Sequence, residues 1–174
     1  MTILNIHGYK GSSHNSAYKA LKALGYEVIS PDIDYDALSP DETLGMLYRC
    51  AANIKVGFVV GSSLGGFYAA VLSARLGLPI ILINPCLLPF LSLPKLGYEG
   101  DIKPFISMFG ELSGLDVSKT HTIVGGSDEV LDTHGFTADL LGNGHYKIIP
   151  NGKHSGETLP LESFFSDVLK GLNS

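Results

Sequence analysis

Six short apolar runs alternate with longer helix-like stretches along this chain of 174 residues, and this alternation strongly limits the folds open to it. The runs interpreted as strands are Thr2–Ile6, Glu27–Ser30, Val56–Val60, Ile80–Ile83, Thr120–Val124 and Tyr146–Ile149. The stretches interpreted as helices are Ser16–Leu24, Pro40–Cys50, Leu64–Leu76, Glu129–Leu141 and Pro160–Leu172. The pattern predicts an α/β fold with a mostly parallel six-stranded sheet and helices on both faces.

The length and composition indicate one soluble domain. Domains usually contain about 100–200 residues, so the chain is treated as a single domain, 1–174. It has only 12 Lys and Arg residues and a formal net charge of −5, which disfavours nucleic acid or an anionic membrane as a main partner. Cys50 and Cys86 lie in apolar surroundings and are interpreted as free thiols, although the sequence leaves one disulfide open.

No targeting signal is evident in the sequence. The apolar run Met1–Ile6 is too short for a signal peptide. The longer apolar stretch Leu76–Pro94 is interrupted by Asn84 and several prolines, and proline disrupts a helix interior. We therefore expect no transmembrane span and a cytoplasmic location.

The segment Gly61-Ser62-Ser63-Leu64-Gly65 has the G-x-S-x-G spacing of a sharp strand-to-helix turn that presents a serine. Such a turn needs small residues two positions before and two positions after the serine, and glycine fits because it has no Cβ. Ser62 would place Val60 and Leu64 at those positions, so only Ser63 fits the pattern.

Three further polar motifs follow predicted strands. His7-Gly8-Tyr9 follows the first strand, Ser127-Asp128-Glu129 the fifth, and Lys153-His154 the sixth. The carboxyl ends of parallel strands meet at one edge of a sheet, where sites form. A serine, an acid and a histidine are therefore predicted to meet there, in the chain order Ser…Asp…His that is typical of α/β-hydrolases.

Alternatives to two of these residues remain open. Glu129 and Asp132 compete with Asp128 as the acid, and Asp132 is predicted to lie within the following helix. Among the histidines, only His154 follows the last strand in a glycine-flanked loop. The others are placed at strand starts, in a helix or in a serine-rich loop: His121, His145, His134 and His14.

On these motifs the chain resembles a small α/β-hydrolase, and in particular the compact bacterial esterases of the YqiA type. The resemblance implies a three-layer sandwich in which Ser63 is the nucleophile, His154 the general base and Asp128 the residue that orients the histidine. It also implies an oxyanion hole formed by the backbone N–H groups of Tyr9 and Leu64. The implied activity is hydrolysis of small carboxylic esters through an acyl-enzyme, with no cofactor.

The segment 85–118 is expected to form a small cap or crossover insertion. Its apolar side chains either line an acyl pocket or pack onto the sheet, and the second interpretation is favoured for most of them. Leu87 and Met108 are the candidates there for substrate contact. His7 is a third candidate, although hydrogen bonding that shapes the oxyanion loop is its expected role.

Other functions are less consistent with the sequence. It has no spacing typical of a metal site, and the glycines at 61–66 lack the lysine of a phosphate-binding loop. The alternatives that remain are an acyl thioesterase and a hydrolase-fold protein that binds a small molecule without turnover. A small-molecule acyl substrate is the expected partner, and the sequence leaves the oligomeric state open.

Overall fold

The computed structural model describes residues 1–171, which form a six-stranded sheet with helices packed against it. The strands are β1 Thr2–Ile6, β2 Glu27–Ile29, β3 Phe58–Ser62, β4 Ile80–Ile83, β5 Thr120–Gly125 and β6 His145–Ile149. The helices are α1 Ser16–Ala23, α2 Pro40–Asn53, α3 Leu64–Leu76, α4 Pro89–Ser92, α5 Lys103–Phe109, α6 His134–Leu141 and α7 Leu161–Gly171. The predicted last helix extended to Leu172, which lies outside the described residues.

The six strands form one sheet in the order β2-β1-β3-β4-β5-β6, and every pairing among the described strands is parallel. The chain leaves β1 towards one edge of the sheet and leaves β3 towards the other. This reversal opens a crevice beyond the carboxyl ends of β1 and β3, where α/β sheets bind ligands. The predicted parallel sheet and fold class are confirmed.

Two apolar layers cover the sheet. On one face, α1 and α7 pack against alternate strand residues such as Ile3, Val60 and Ile81. On the other face, α2, α3 and part of the segment between β4 and β5 pack against residues such as Leu4 and Val59. The sheet is therefore the middle layer of a three-layer sandwich, as predicted.

Helix ends follow the local sequence signals. Ser39 caps α2 in a capping box, since its side chain accepts the Glu42 N–H and the Glu42 carboxylate accepts the Ser39 N–H. Gly77 ends α3 with a φ of 68°, a conformation that glycine adopts without strain. These signals explain why α2 and α3 begin and end close to where the sequence predicts.

The segment between β4 and β5 forms short helical turns that pack on the sheet layer. Helix α5 contacts α2, and the 3-10 turn Gly110–Gly114 packs against α3. The side chains of Leu87, Phe105 and Met108 are almost fully buried in the core of this face. These side chains pack the connection between β4 and β5 against the core.

Candidate active site

Ser63 lies on a sharp turn between β3 and α3. Its φ of 53° and ψ of −119° are unusual for a residue with a side chain. Backbone hydrogen bonds hold this conformation: the Ser63 N–H donates to the Ile83 carbonyl (3.0 Å), and the Ser63 carbonyl accepts the N–H groups of Gly66 and Cys86 (2.9 Å each). The turn therefore presents the serine side chain in front of the sheet edge.

The glycines of the motif allow close approach of backbone segments. A Cβ at Gly61 would overlap the carbonyl of Gly65, and a Cβ at Gly65 would overlap the carbonyl of Ile6. A Cβ at Gly8 would lie 2.8 Å from the Cβ of Ser63. The spacing of small residues thus reflects the packing of the turn against the end of β1, as well as its sharpness.

Asp128 follows β5 and is a buried carboxylate with four hydrogen-bond donors. Its side chain is 1% exposed. Oδ1 accepts the N–H groups of Val130 (2.8 Å) and Leu131 (2.9 Å), and Oδ2 lies 2.8 Å from His154 Nδ1 and 2.7 Å from His134 Nε2. Burial alone would raise the pKa of this carboxyl. The hydrogen bonds outweigh burial and hold the pKa well below its ordinary value.

His154 contacts Asp128 and also lines the cavity in front of Ser63. Its Nδ1 donates to the ionised Asp128, because a carboxylate can only accept, so Nε2 of the neutral ring carries no proton. His154 and Ser63 line the same cavity, which has a volume of about 300 Å³. Within residues 1–171 the two side chains share no hydrogen bond, and in ligand-free enzymes such contacts are often long.

The loop after β1 is held by His7. The side chain is 1% exposed; Nε2 accepts the Ile33 N–H (2.9 Å) and Nδ1 lies 2.8 Å from the Gly8 carbonyl. The Tyr35 hydroxyl donates to the His7 carbonyl. His7 is thus engaged on both ring nitrogens, which fits the structural role expected for it, and its ring also lies at the edge of the cavity.

Tyr9 continues this loop and is anchored at its far end. Its hydroxyl donates to Asp36 Oδ1 (2.9 Å). Burial, followed by the hydrogen bond and negative charge of Asp36, raises the pKa of Tyr9 to about 12, so the hydroxyl stays protonated at neutral pH. This anchor fixes the loop whose backbone borders the cavity beside Ser63.

Asn84, at the end of β4, holds the loops of the acid and the histidine together. Its side-chain amide donates to the carbonyls of Lys153 and His154 (2.9 Å each), and its carbonyl accepts the Gly125 N–H (2.7 Å). The residue is 1% exposed and has a φ of 42°. Sequence reasoning missed this role, although a polar residue directly after a buried strand was the available signal.

The competing acids have other partners. Glu129 Oε2 accepts the backbone N–H of His154 (3.1 Å), which fixes the loop without contacting the ring. Asp132 pairs with Lys95 (3.1 Å) on the surface, and it precedes α6 instead of lying within it. Helix α6 begins at His134, five residues later than predicted, because Asp128 captures the N–H groups of the preceding turn.

Two of the predicted substrate contacts are not at the cavity. Leu87 and Met108 are 0% and 2% exposed and belong to the core, and neither lines the space beside Ser63. A larger cavity of about 700 Å³ includes His121 and His145, at the opposite edge of the sheet. It lies at the amino ends of the strands, away from Ser63.

Residues 2–104 match the model of an uncharacterised protein family, UPF0227, and this match covers more than half of the chain. The chain belongs to the UPF0227 family. The matched part includes Ser63 and Asn84 and stops before Asp128 and His154. No curated protein matches the sequence significantly.

Several solved structures share the fold of this UPF0227 member. A hydrolase of the α/β superfamily from Xanthomonas campestris pv. campestris, assigned there as putative, has a TM-score of 0.69 and 19% identity, with 98% of this chain and 97% of that chain covered. A protein described as a putative lipase from Acinetobacter baumannii AYE has a TM-score of 0.69 and 18% identity, with 99% and 85% covered. The thioesterase domain of the curacin biosynthetic pathway has a TM-score of 0.64 and 13% identity, with 97% and 90% covered.

These likenesses establish an α/β-hydrolase fold for the UPF0227 chain, as its resemblance to compact esterases implied. Among the described residues, no helix is both long and apolar enough to cross a membrane.

Proposed function

We propose that this protein is a serine hydrolase that cleaves small carboxylic esters, with Ser63 as nucleophile, His154 as general base and Asp128 as the orienting acid. The observation that supports this most is the arrangement of the three side chains. A serine on a strained turn shares a cavity with a histidine whose far nitrogen is bonded to a buried, ionised aspartate. The turn at Ser63, the shared cavity and the buried carboxylate support the three proposed roles.

The reaction follows the usual order for acyl transfer. Ser63 Oγ attacks the ester carbonyl carbon while His154 Nε2 takes the hydroxyl proton. The C–O bond to the alcohol then breaks, and His154 returns the proton to the leaving alcohol. Water attacks the acyl-enzyme by the same route and releases the acid and free Ser63. Asp128 stabilises the imidazolium that forms in each half-reaction.

The backbone N–H groups of Leu64 and Tyr9 are the proposed oxyanion donors. Leu64 is the first residue of α3, so its N–H has no acceptor within the helix. Within residues 1–171 the Tyr9 N–H makes no backbone hydrogen bond. Donors fixed in this way stabilise the tetrahedral intermediate, and one such donor is typically worth about 100–1,000-fold in rate.

The cavity favours a short acyl group. Its volume of about 300 Å³ is near the lower end for small-molecule sites. Among the described residues that line it, Ile83 alone has an aliphatic side chain. The other lining side chains are mostly polar, among them Lys10, Asn15, Ser62 and Glu157. A long hydrocarbon chain would gain little burial there.

A series of p-nitrophenyl esters from acetate to decanoate tests the activity and this preference together. An apolar slot would raise kcat/KM by roughly fourfold for each added methylene, since burying one methylene is worth about 0.8 kcal/mol. We expect hydrolysis of acetate and butyrate esters and a flat or falling trend beyond them. A steady rise up to decanoate would contradict the proposed short-chain preference. No turnover of any ester or of matched acyl thioesters would contradict hydrolase activity.

A further inference from the structure

A second histidine, His134, bonds to the same oxygen of Asp128 that holds His154. His134 Nε2 lies 2.7 Å from Asp128 Oδ2, and His154 Nδ1 lies 2.8 Å from it. The two rings are similarly exposed, at 17% and 20%. A single carboxylate oxygen therefore serves two imidazoles, an arrangement that the three-residue scheme above does not use.

The two histidines that contact Asp128 line different cavities. His154 lines the cavity of Ser63, whereas His134 lines a separate cavity of about 360 Å³ next to β5 and β6. His134 is thus absent from the lining of the site where ester would bind. Its hydrogen bond to the proposed catalytic residues is the one to Asp128.

The hydrogen-bond pattern defines what His134 supplies. Asp128 is ionised and only accepts, so His134 Nε2 donates. The other nitrogen, Nδ1, is buried and has no hydrogen-bond partner in the described part of the chain. His134 is also the first residue of α6, so this bond ties the start of that helix to the acid.

We propose that His134 is a positioning residue that fixes the Asp128 carboxylate and limits how strongly it stabilises the protonated form of His154. The proposal rests on the proposed function. With backbone donors on Oδ1 and a histidine on each side of Oδ2, Asp128 has one hydrogen bond for each of its about four lone-pair sites. Removing His134 leaves three of the four hydrogen bonds, so the carboxylate is held less firmly and its negative charge acts more strongly on His154.

Four ionisable groups near this cluster have pKa values that are shifted away from neutrality. Burial raises the pKa of the Cys86 thiol to about 11, and burial also raises the pKa of Tyr146. The pKa of Glu129 is lowered by its bond to the His154 backbone, and that of Asp132 by Lys95. Lys95 and Lys153 are the nearby cations. A change in the pH profile near neutrality therefore does not come from Cys86, Tyr146, Glu129 or Asp132.

The test compares His134→Leu, which removes the donor, with His134→Gln, which keeps an amide N–H. Steady-state kinetics with p-nitrophenyl acetate are measured from pH 5 to 9, and Tm is recorded for every variant.

For His134→Leu we expect kcat to fall about tenfold and the acid limb of the kcat profile to move up by about 0.5 pH unit, with KM unchanged. His134→Gln is expected to restore both quantities to near wild-type values. His145→Leu, which removes an exposed histidine at the other edge of the sheet, is expected to change neither.

A purely structural role would lower Tm without moving the acid limb. A stable His134→Leu protein with wild-type kcat and acid limb overturns the proposal, as does a stable His134→Gln protein that behaves like His134→Leu. If His134→Leu does not fold, His134→Asn takes its place, because its polar side chain is too short to reach Asp128. Labelling of Ser63 by a fluorophosphonate is measured on the same samples. If the wild-type protein is labelled and the His134 variants keep wild-type kinetics, only the proposed role of His134 is rejected. If the wild-type protein is neither labelled nor active, the proposed function is rejected as well.

Discussion

Replacing His154 with alanine is expected to lower kcat by at least about 10⁴-fold for p-nitrophenyl acetate. Without the imidazole, no group in the cavity removes the Ser63 proton and returns it to the alcohol. The same substitution takes one of four hydrogen bonds from the buried Asp128 carboxylate, at an expected cost of about 2 kcal/mol in stability. Kinetics together with thermal unfolding separate the two effects.

His14→Ala is the matched control for His154→Ala. His14 lies on the loop before α1, where its ring contacts Ser13 and Tyr18. We expect wild-type kcat for this variant. A folded His154→Ala protein that keeps more than about a tenth of wild-type kcat would show that His154 is not the general base.

Asp128→Asn is expected to lower kcat by about 10⁴-fold. The N–H groups of Val130 and Leu131 require an acceptor at the Oδ1 position, so the new amide must place its oxygen there. Its NH₂ group then faces His154 Nδ1, which becomes the acceptor. The proton of the neutral ring moves to Nε2, and that nitrogen can no longer accept the proton of Ser63.

Glu129→Gln tests the assignment of the acid. Glutamine keeps an oxygen that can accept the His154 backbone N–H, so we expect kcat within a few-fold of wild type. Circular dichroism and Tm are measured to check that Asp128→Asn and Glu129→Gln are both folded. Near-normal kcat for Asp128→Asn combined with an inactive Glu129→Gln protein would show that Glu129 is the acid.

The sheet and the serine turn were predictable because their signals are local. Apolar runs of four or five residues and the glycine spacing around Ser63 are both read from neighbouring positions. Strand β3 still begins two residues later than predicted. The apolar run starts at Val56, which is buried, but the N–H of that residue donates to the Ala51 carbonyl at the end of α2 and the residue precedes the strand.

Asn84 and His134 were not predicted because their roles depend on contacts between distant segments. The Asn84 side chain donates to the backbone carbonyls of Lys153 and His154, which lie 69 and 70 positions further along the chain. His134 lies in a predicted helix, and nothing in the sequence indicates that the helix begins beside Asp128. Leu87 and Met108 illustrate a different problem, since apolar side chains that line a pocket and those that fill a core have the same sequence pattern.

A hydrolase-fold binding protein without turnover remains the competing hypothesis. Such a protein retains the cavity and needs no ionised acid behind the histidine. Asp128 does not line the cavity of Ser63, and its buried carboxylate is bonded to the ring of His154, where it would stabilise an imidazolium. This favours catalysis, and the reactivity of Ser63 decides between the two.

Intact-mass analysis after exposure to a fluorophosphonate tests the central claim most directly. The wild-type protein and the variants Ser63→Ala and Ser62→Ala are compared; Ser62 is a matched control because it is adjacent and lines the same cavity. We predict a single adduct on the wild type and on Ser62→Ala, mapped to Ser63, and no adduct on Ser63→Ala. Folded wild-type protein that forms no adduct, or an adduct that persists in Ser63→Ala, would contradict the assignment of Ser63 as an activated nucleophile.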